Sequence, residues 1–300
     1  MRQSLLGAIC LSLAASIWGS MYVVSKYVLD YVPPFTLVWM RYIIAFVVLF
    51  IILKIVQKNK SHETIRKKDW LLLAWIGFIG YFVSISMQFI GTKLSDAHTG
   101  ALITSATPAF IVIFALFVLK EKLTGRKVSS LIIATFGVVT VIGWDTQVGN
   151  YFWGSIVLVG AAITWALLSI YVKLASYRFP SLMITTYAVG FALLFTTPAM
   201  VWELQLNEAT YQSPLILFGI FYLGTVSTAG AFLLWNKGMK LMDAGIGSLF
   251  FFFQPVVGAF LGWLLLDEIL DANFFIGGAL IVSGVLIVTI KNKRKMPPTD

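Results

Sequence analysis

Two prolines sit at matching depths in two apolar runs of equal length. Ala97 to Leu119 spans 23 residues with Pro108 twelfth, and Ala244 to Leu266 spans 23 with Pro255 twelfth. Inside a helix, proline removes one hydrogen bond and pushes aside the carbonyl four residues earlier, here Thr104 and Phe251. Runs of this length cross the ~30 Å hydrocarbon core of a bilayer, so both interruptions fall near its centre. Backbone freed at that depth needs a partner, and a cavity holding water or solute supplies one. Thr107 and Gln254, immediately before the prolines, bring polar side chains to the same level. The competing reading is a pair of kinks that only shape packing. Paired interruptions in corresponding segments instead mark a binding site.

Arg41 lies about six residues into the run Phe35 to Leu53, roughly 9 Å at 1.5 Å per residue. Arginine inside a span costs at least ~2.5 kcal/mol near the centre and faces a cavity or a partner. Facing a pathway, it would grip a carboxylate with two hydrogen bonds. Snorkelling to the nearer interface is the alternative. Trp18 and Trp165 lie within their runs, away from the interfacial belts where tryptophan collects. With Tyr81 and Trp235 they would line a cavity for an amphipathic organic solute, or else pack between helices. Gln88 is a further candidate, standing where the repeat described below places Trp235. The run Phe250 to Phe253 reads as lipid-facing or packing surface. Glu121 and Glu268 end their runs, where capping or pairing at the junction of the two halves is the expected role.

The elements that carry these residues are membrane spans. Of 300 residues, 59% are apolar and 12% charged, about half the ~25% charged of soluble globular chains. Stretches nearly free of Asp, Glu, Lys and Arg run from Leu5 to Ser25, Phe35 to Leu53, Trp70 to Thr92, Ala97 to Leu119 and Val128 to Trp144. They continue from Tyr151 to Val172, Ser181 to Trp202, Pro214 to Asn236, Ala244 to Leu266 and Ala272 to Ile290. That predicts ten transmembrane helices in an all-α polytopic membrane protein. A barrel would need short alternating strands, and these runs do not alternate. The first run is too long for a signal peptide, whose apolar region covers roughly 7–15 residues. A lone cysteine, Cys10, excludes a disulfide framework, and two histidines, His62 and His98, exclude a His-rich metal site. No cofactor or metal is expected.

With ten spans, 19 of the 22 Lys and Arg fall on the side that holds both termini, leaving Lys26, Arg41 and Lys93 on the other. The positive-inside rule then places both termini in the cytoplasm. It also accounts for the net charge of +9 without nucleic-acid binding. The basic tail is expected on anionic lipid headgroups.

Shifting the chain by 147 residues, the distance from Trp18 to Trp165, aligns Gly7 with Gly154, Lys26 with Lys173 and Gly91 with Gly238. It also aligns Lys93 with Lys240, Pro108 with Pro255 and Glu121 with Glu268. Five spans per copy is an odd number, so the second copy must enter the membrane inverted. The expected division is residues 1–145 and 146–292 as two repeats, with 293–300 a short basic cytoplasmic tail. Inverted repeats of this kind build many secondary transporters, with the site at the repeat interface.

The two five-span halves, Pro108 before Lys120–Glu121 and Pro255 before Asp267–Glu268 resemble the EamA family of the drug/metabolite transporter superfamily. The Trp18 region (Ser16-Ile-Trp-Gly-Ser20) and Arg41 with Tyr42 and Ala45 are similar as well, and the likeness covers about Leu5 to Ile290. The resemblance implies a multi-pass carrier of the plasma membrane, often an exporter of amino acids or related metabolites, working by alternating access. One departure is that Thr186 or Ala188 falls where a second Arg41 would stand. No span holds Asp or Glu in its apolar interior, so proton relay would rest on the helix-end acids Asp30, Asp96, Asp243 and Asp267 or on the solute. Facilitated transport or exchange is therefore the expected mode. An intramembrane enzyme would need a nucleophile with its base, or a metal. No Gly-x-Ser-x-Gly or His-Glu-x-x-His occurs, and neither histidine has an evident partner. A scaffold without transport would need an interaction domain, for which only the loop Gln57 to Asp69 and the tail Lys291 to Asp300 are available. The expected partners are a small-molecule solute and the lipid bilayer.

Overall fold

The computed structural model describes residues 2–57, 66–118, 125–142, 149–207, 209–210, 213–241 and 249–289. Glu121, His62 and Asp243, singled out in the sequence, lie outside them. Regular structure among the described residues is helical throughout. Six helices are long and apolar enough to cross a membrane. These are α1 (Arg2–Leu29), α2 (Pro34–Gln57), α3 (Lys67–Leu94), α7 (Asn150–Ser176), α8 (Ser181–Leu206) and α9 (Pro214–Leu241). Between and after them lie α4 (Ala97–Thr104), α5 (Thr107–Val118), α6 (Gly125–Ile142), α10 (Phe253–Leu266) and α11 (Ala272–Thr289). Leu71, Phe117, Phe218 and Val256 stay exposed on the outer surface, a placement that lipid accepts and water penalises.

Both prolines start helices. The chain leaves helical geometry at Ser105 and Ala106, so Pro108 is the second residue of α5. A short 3₁₀ turn, Leu249–Phe252, precedes α10, and Pro255 is its third residue. In a first turn, proline forfeits no hydrogen bond. The freed Thr104 carbonyl does not await a solute, as the sequence suggested. Thr107 Oγ1 donates to it at 2.6 Å.

Two interruptions carry no proline. Residues Gly77–Ser84 of α3 and Leu223–Gly230 of α9 form wider π-type turns, which shift the backbone register and often mark functional sites. They occupy nearly equivalent places in the two repeats, and the Thr228 hydroxyl bonds the Leu223 carbonyl five residues back at 2.6 Å.

The repeats interlock. Helix α1 packs on α9 and α10, whereas its counterpart α7 packs on α3, α4 and α5; α2 lies against α8, and α6 against α11. The aligned glycines are the crossing points. A Cβ on Gly154 of α7 would meet the Gly91 carbonyl at 2.8 Å and the Ser95 nitrogen at 2.9 Å. A Cβ on Gly238 of α9 would lie 2.5 Å from Leu11 and 3.1 Å from the Gly7 carbonyl of α1. Backbone cannot yield as a flexible side chain can, so Gly154→Ala should destabilise the protein by about 1–3 kcal/mol. Gly125→Ala, where a Cβ meets nothing within 4 Å, should leave stability unchanged. Thermal unfolding in detergent compares the two, and equal midpoints would contradict the crossing-point reading.

Candidate functional site

Between the repeats lies a narrow, partly open cavity with room for little more than a water molecule. Five of the residues expected from sequence line it: Trp18, Gln88, Thr107, Trp165 and Gln254. Thr104, Phe232, Phe251 and Ser84 are among the other residues of its walls. Pro108 and Pro255 are buried beside Thr107 and Gln254 and do not line it. The 147-residue register pairs Trp18 with Trp165, Thr107 with Gln254 and Thr104 with Phe251 across the space.

One wall is aromatic. The Trp18 and Trp165 rings meet edge to face, 5.4 Å between centroids. Trp235 sits behind this wall, 5.2 Å from Trp18 and 4.3 Å from Phe251. On its other side it lines a second, similarly narrow cavity with Lys173, Asn236 and Lys240. Tyr81 is likewise a backing residue, stacked on Phe232 at 4.6 Å, and its carbonyl accepts the Tyr42 hydroxyl. Trp18 Nε1 donates to the Ser227 carbonyl in the wide turn of α9 at 3.2 Å, which fixes the ring.

The facing wall is polar. Tyr22, four residues after Trp18 and so on the same helix face, is fully buried. Its hydroxyl bonds Thr104 Oγ1 at 2.6 Å and accepts from Gln88 Nε2. Gln254 Nε2 donates to the same Thr104 oxygen at 3.3 Å. Sequence reasoning missed Tyr22 and Thr104 as site residues; the spacing from Trp18 and the position four before Pro108 were the available signals.

Arg41 is fully buried and does not line the cavity, so it neither snorkels nor faces the solute. Its Nε donates to Thr228 Oγ1 at 2.7 Å and one terminal nitrogen to Ser227 Oγ at 3.4 Å, both in the wide turn of α9. The Phe89 ring lies 4.9 Å from the guanidinium carbon, a cation–π contact. Arginine here braces an irregular turn of the opposite repeat.

Acidic side chains close one end of the bundle. Glu268 accepts from the Ala97 and His98 backbone nitrogens at 2.6 and 3.0 Å, and contacts His98 Nδ1 at 2.8 Å. It thus joins the loop after α10 to the start of α4, a cap on positive helix-end dipoles. The expected cap at Glu268 is present, and it supplies a partner for His98 that sequence did not reveal. Glu203 does the same for α2, bonding the Phe35 and Thr36 nitrogens at 3.1 and 2.7 Å. Asp96, His98 and Glu268 offer ligating atoms within 4.8 Å of one another, all engaged in these contacts and the Asp96–Thr99 cap at 2.8 Å. Lys26 Nζ donates to the Thr92, Lys93 and Ser95 carbonyls at the same end.

The EamA-like transporter family model matches residues 5–143 and again 152–290, the same 147-residue shift. A protein of Bacillus subtilis described as "Uncharacterized transporter YetK" is 28% identical over 95% of this chain and 87% of its own. A second from that organism, "Uncharacterized transporter YoaV", is 25% identical over 98% and 99%. A solved structure titled only "Crystal structure of protein" superposes with a TM-score of 0.66 at 20% identity, covering 94% of this chain and 96% of that one, which supports the fold. The chain belongs to the EamA-like transporter family.

Arg41→Ala removes a fully buried side chain and should cost about 2 kcal/mol or more of stability, with Arg41→Lys intermediate because an ammonium cannot fork to both hydroxyls. An unchanged unfolding midpoint in Arg41→Ala would refute the bracing role. Burial pushes the Glu268 carboxyl up, but the hydrogen bonds from His98 and the Ala97 nitrogen outweigh it and hold its pKa below the usual value. A lowered folded pKa adds stability above the ordinary carboxylate range, lost as pH falls through the folded value. Glu268→Gln should therefore lower the midpoint near pH 7 and narrow the gap to wild type as the pH drops below ~4.5. A gap independent of pH would show that the charge contributes nothing.

Proposed function

We propose that this family member is a carrier that moves a small amphipathic organic metabolite, an amino acid or a related compound, out of the cell by alternating access. The observation that carries the reading is the cavity built jointly by the repeats, with Trp18 and its counterpart Trp165 in contact within it. A scaffold has no need of such a space, and alternating access places the site at a repeat interface. We take the ten apolar runs as ten spans in two inverted five-helix repeats, residues 1–145 and 146–292, in the cell membrane with both termini cytoplasmic.

The repeat-related lysines support alternating access. Lys26 is tied to three carbonyls at the end of α3. The side-chain nitrogen of Lys173, its counterpart, has no hydrogen-bond partner among the described residues, and Lys173 lines the second cavity. On the positive-inside assignment, the Lys26 end is external and latched, and the Lys173 end is cytoplasmic and unlatched. Trp235 stands between the two cavities as the inner partition. A solute loading from the cytoplasm, as export requires, would enter past Lys173 and Lys240 and displace Trp235. Asp96, Glu203 and Glu268 are engaged in capping, which favours facilitated transport or exchange over proton coupling.

Counterflow in proteoliposomes tests this, with amino acids and related amphipathic metabolites as labelled solutes. Saturable exchange should appear, be lost in Trp18→Ala and be retained in Gly125→Ala. A pH gradient should leave the net rate unchanged; acceleration would overturn the uncoupled mode. Folded protein that exchanges nothing across the panel would overturn the carrier reading.

A further inference from the structure

Three buried polar atoms on residues lining the central cavity have no protein partner among the described residues: Gln88 Oε1, Gln254 Oε1 and Trp165 Nε1. Their residues are only 9%, 2% and 9% exposed. Buried polar groups are nearly always paired, and an orphan costs about 1–3 kcal/mol. Two of these atoms are carbonyl oxygens and one is an indole donor.

Proton counting fixes which ends of the glutamines are free. Thr104 Oγ1 lies 2.7 Å from the Gly100 carbonyl, which can only accept, so the threonine proton goes there. Tyr22 must then donate its own proton to Thr104 across 2.6 Å. The tyrosine oxygen has no second proton and can only accept from Gln88, which turns that amide's NH2 inward. Thr104 has spent its proton as well, so it accepts from the Gln254 NH2. Both carbonyl oxygens are thereby left as acceptors. One back-bonded threonine sets the polarity of the whole wall.

Resting on the carrier reading, we infer that the central cavity selects an organic amine: a solute whose amino group donates N–H bonds to Gln88 Oε1 and Gln254 Oε1, whose apolar body lies on Trp165, Phe232 and Phe251, and whose neutral acceptor, where it carries one, takes the Trp165 indole N–H. A free carboxylate is not what the wall is built for. It would face two carbonyl oxygens, with a single neutral donor available and with Arg41 committed to Thr228 and Ser227. Aromatic faces, by contrast, favour a cationic amino group. This narrows the amino-acid-like solute class to amines and carboxyl-blocked amino compounds.

Counterflow with matched solutes tests the inference: phenethylamine, phenylalanine amide, phenylalanine and phenylpropionate, the first two bearing the amino group without the acid. The amine and the amide should exchange at half-saturating concentrations at least about tenfold below that of phenylalanine, with phenylpropionate inert. Gln88→Leu and Gln254→Leu should each weaken amine exchange about tenfold, the loss of one hydrogen bond to a charged group. Tyr22→Phe releases the Gln88 amide to turn its NH2 into the cavity, so it should narrow the ratio between amine and acid while the protein's unfolding midpoint, measured in parallel, shows it folded. A merely structural tyrosine would lower exchange of all solutes equally, and that result counts against the inference. If phenylalanine or phenylpropionate exchanges as well as phenethylamine, the amine selection is wrong and the carrier reading stands. If no member of this set or of the wider panel exchanges, the carrier reading itself has failed.

Discussion

Inside a bilayer there is no water to satisfy a stray polar group, and this constraint organises the centre of the molecule. The break between α4 and α5 exposes backbone at mid-membrane, and the local sequence resolves it without help. Ser105 Oγ donates to the Leu102 carbonyl, Thr107 Oγ1 to that of Thr104, and Thr104 Oγ1 to that of Gly100. Each hydroxyl spends its proton locally, and each keeps lone pairs for others. Thr104 uses them for Tyr22 from its own repeat and Gln254 from the other. A helix break that began as a backbone problem thus becomes the point where the repeats exchange hydrogen bonds beside the cavity.

The same constraint explains the irregular helices α3 and α9. A wide turn displaces carbonyls from their usual donors, and side chains from neighbouring helices take them up. Tyr42 donates to the Tyr81 carbonyl, and Trp18 to that of Ser227. The second of these bonds joins α1 and α9, which also meet through Gly7 and Gly238, where side chains would hold the backbones apart. Close approach and internal hydrogen bonding are the forces left for helix association once lipid has removed the hydrophobic one. The glutamate caps add a third, confined to the end of the bundle where Glu203 and Glu268 hold the starts of α2 and α4.

Much of this was legible in the sequence because lipid writes a plain signal. Apolar run length gave the helices, and matched Trp, Gly, Lys and Pro gave the duplication. The four aligned glycines proved to be the contacts between repeats. The central tryptophans stood out by their depth, Gln254 by its place before Pro255 and Gln88 by the repeat register. What was not readable depends on which helix faces which. Arg41 could be seen as costly but not as the brace of a turn 187 residues further along the chain, and without that partner a substrate carboxylate was the natural guess. Glu203 looked like the end of a span, and only the approach of α2 makes it a cap. The wide turns have no residue code as strong as proline, although Gly77, Gly80, Gly224 and Gly230 cluster there.

Duplication followed by divergence also accounts for the character of the cavity. Two identical repeats would build two identical walls, and a solute would then find no preferred orientation. Here the register sets Gln88 against Trp235 and Thr104 against Phe251, so that one copy contributes hydrogen-bonding groups where the other contributes rings. Arg41 is unduplicated in the same way, with Ala188 in its place. The wide turn of α9 is therefore held by a guanidinium, two hydroxyls and an indole, whereas that of α3 is held by the Tyr42 phenol and by Ser84, which bonds the Ala161 carbonyl at 2.8 Å. On the carrier proposed above, backbone symmetry would supply two related arrangements between which the repeats exchange. The broken symmetry of the side chains would then make those arrangements unequal in energy and give a solute a polar side and an aromatic side to read.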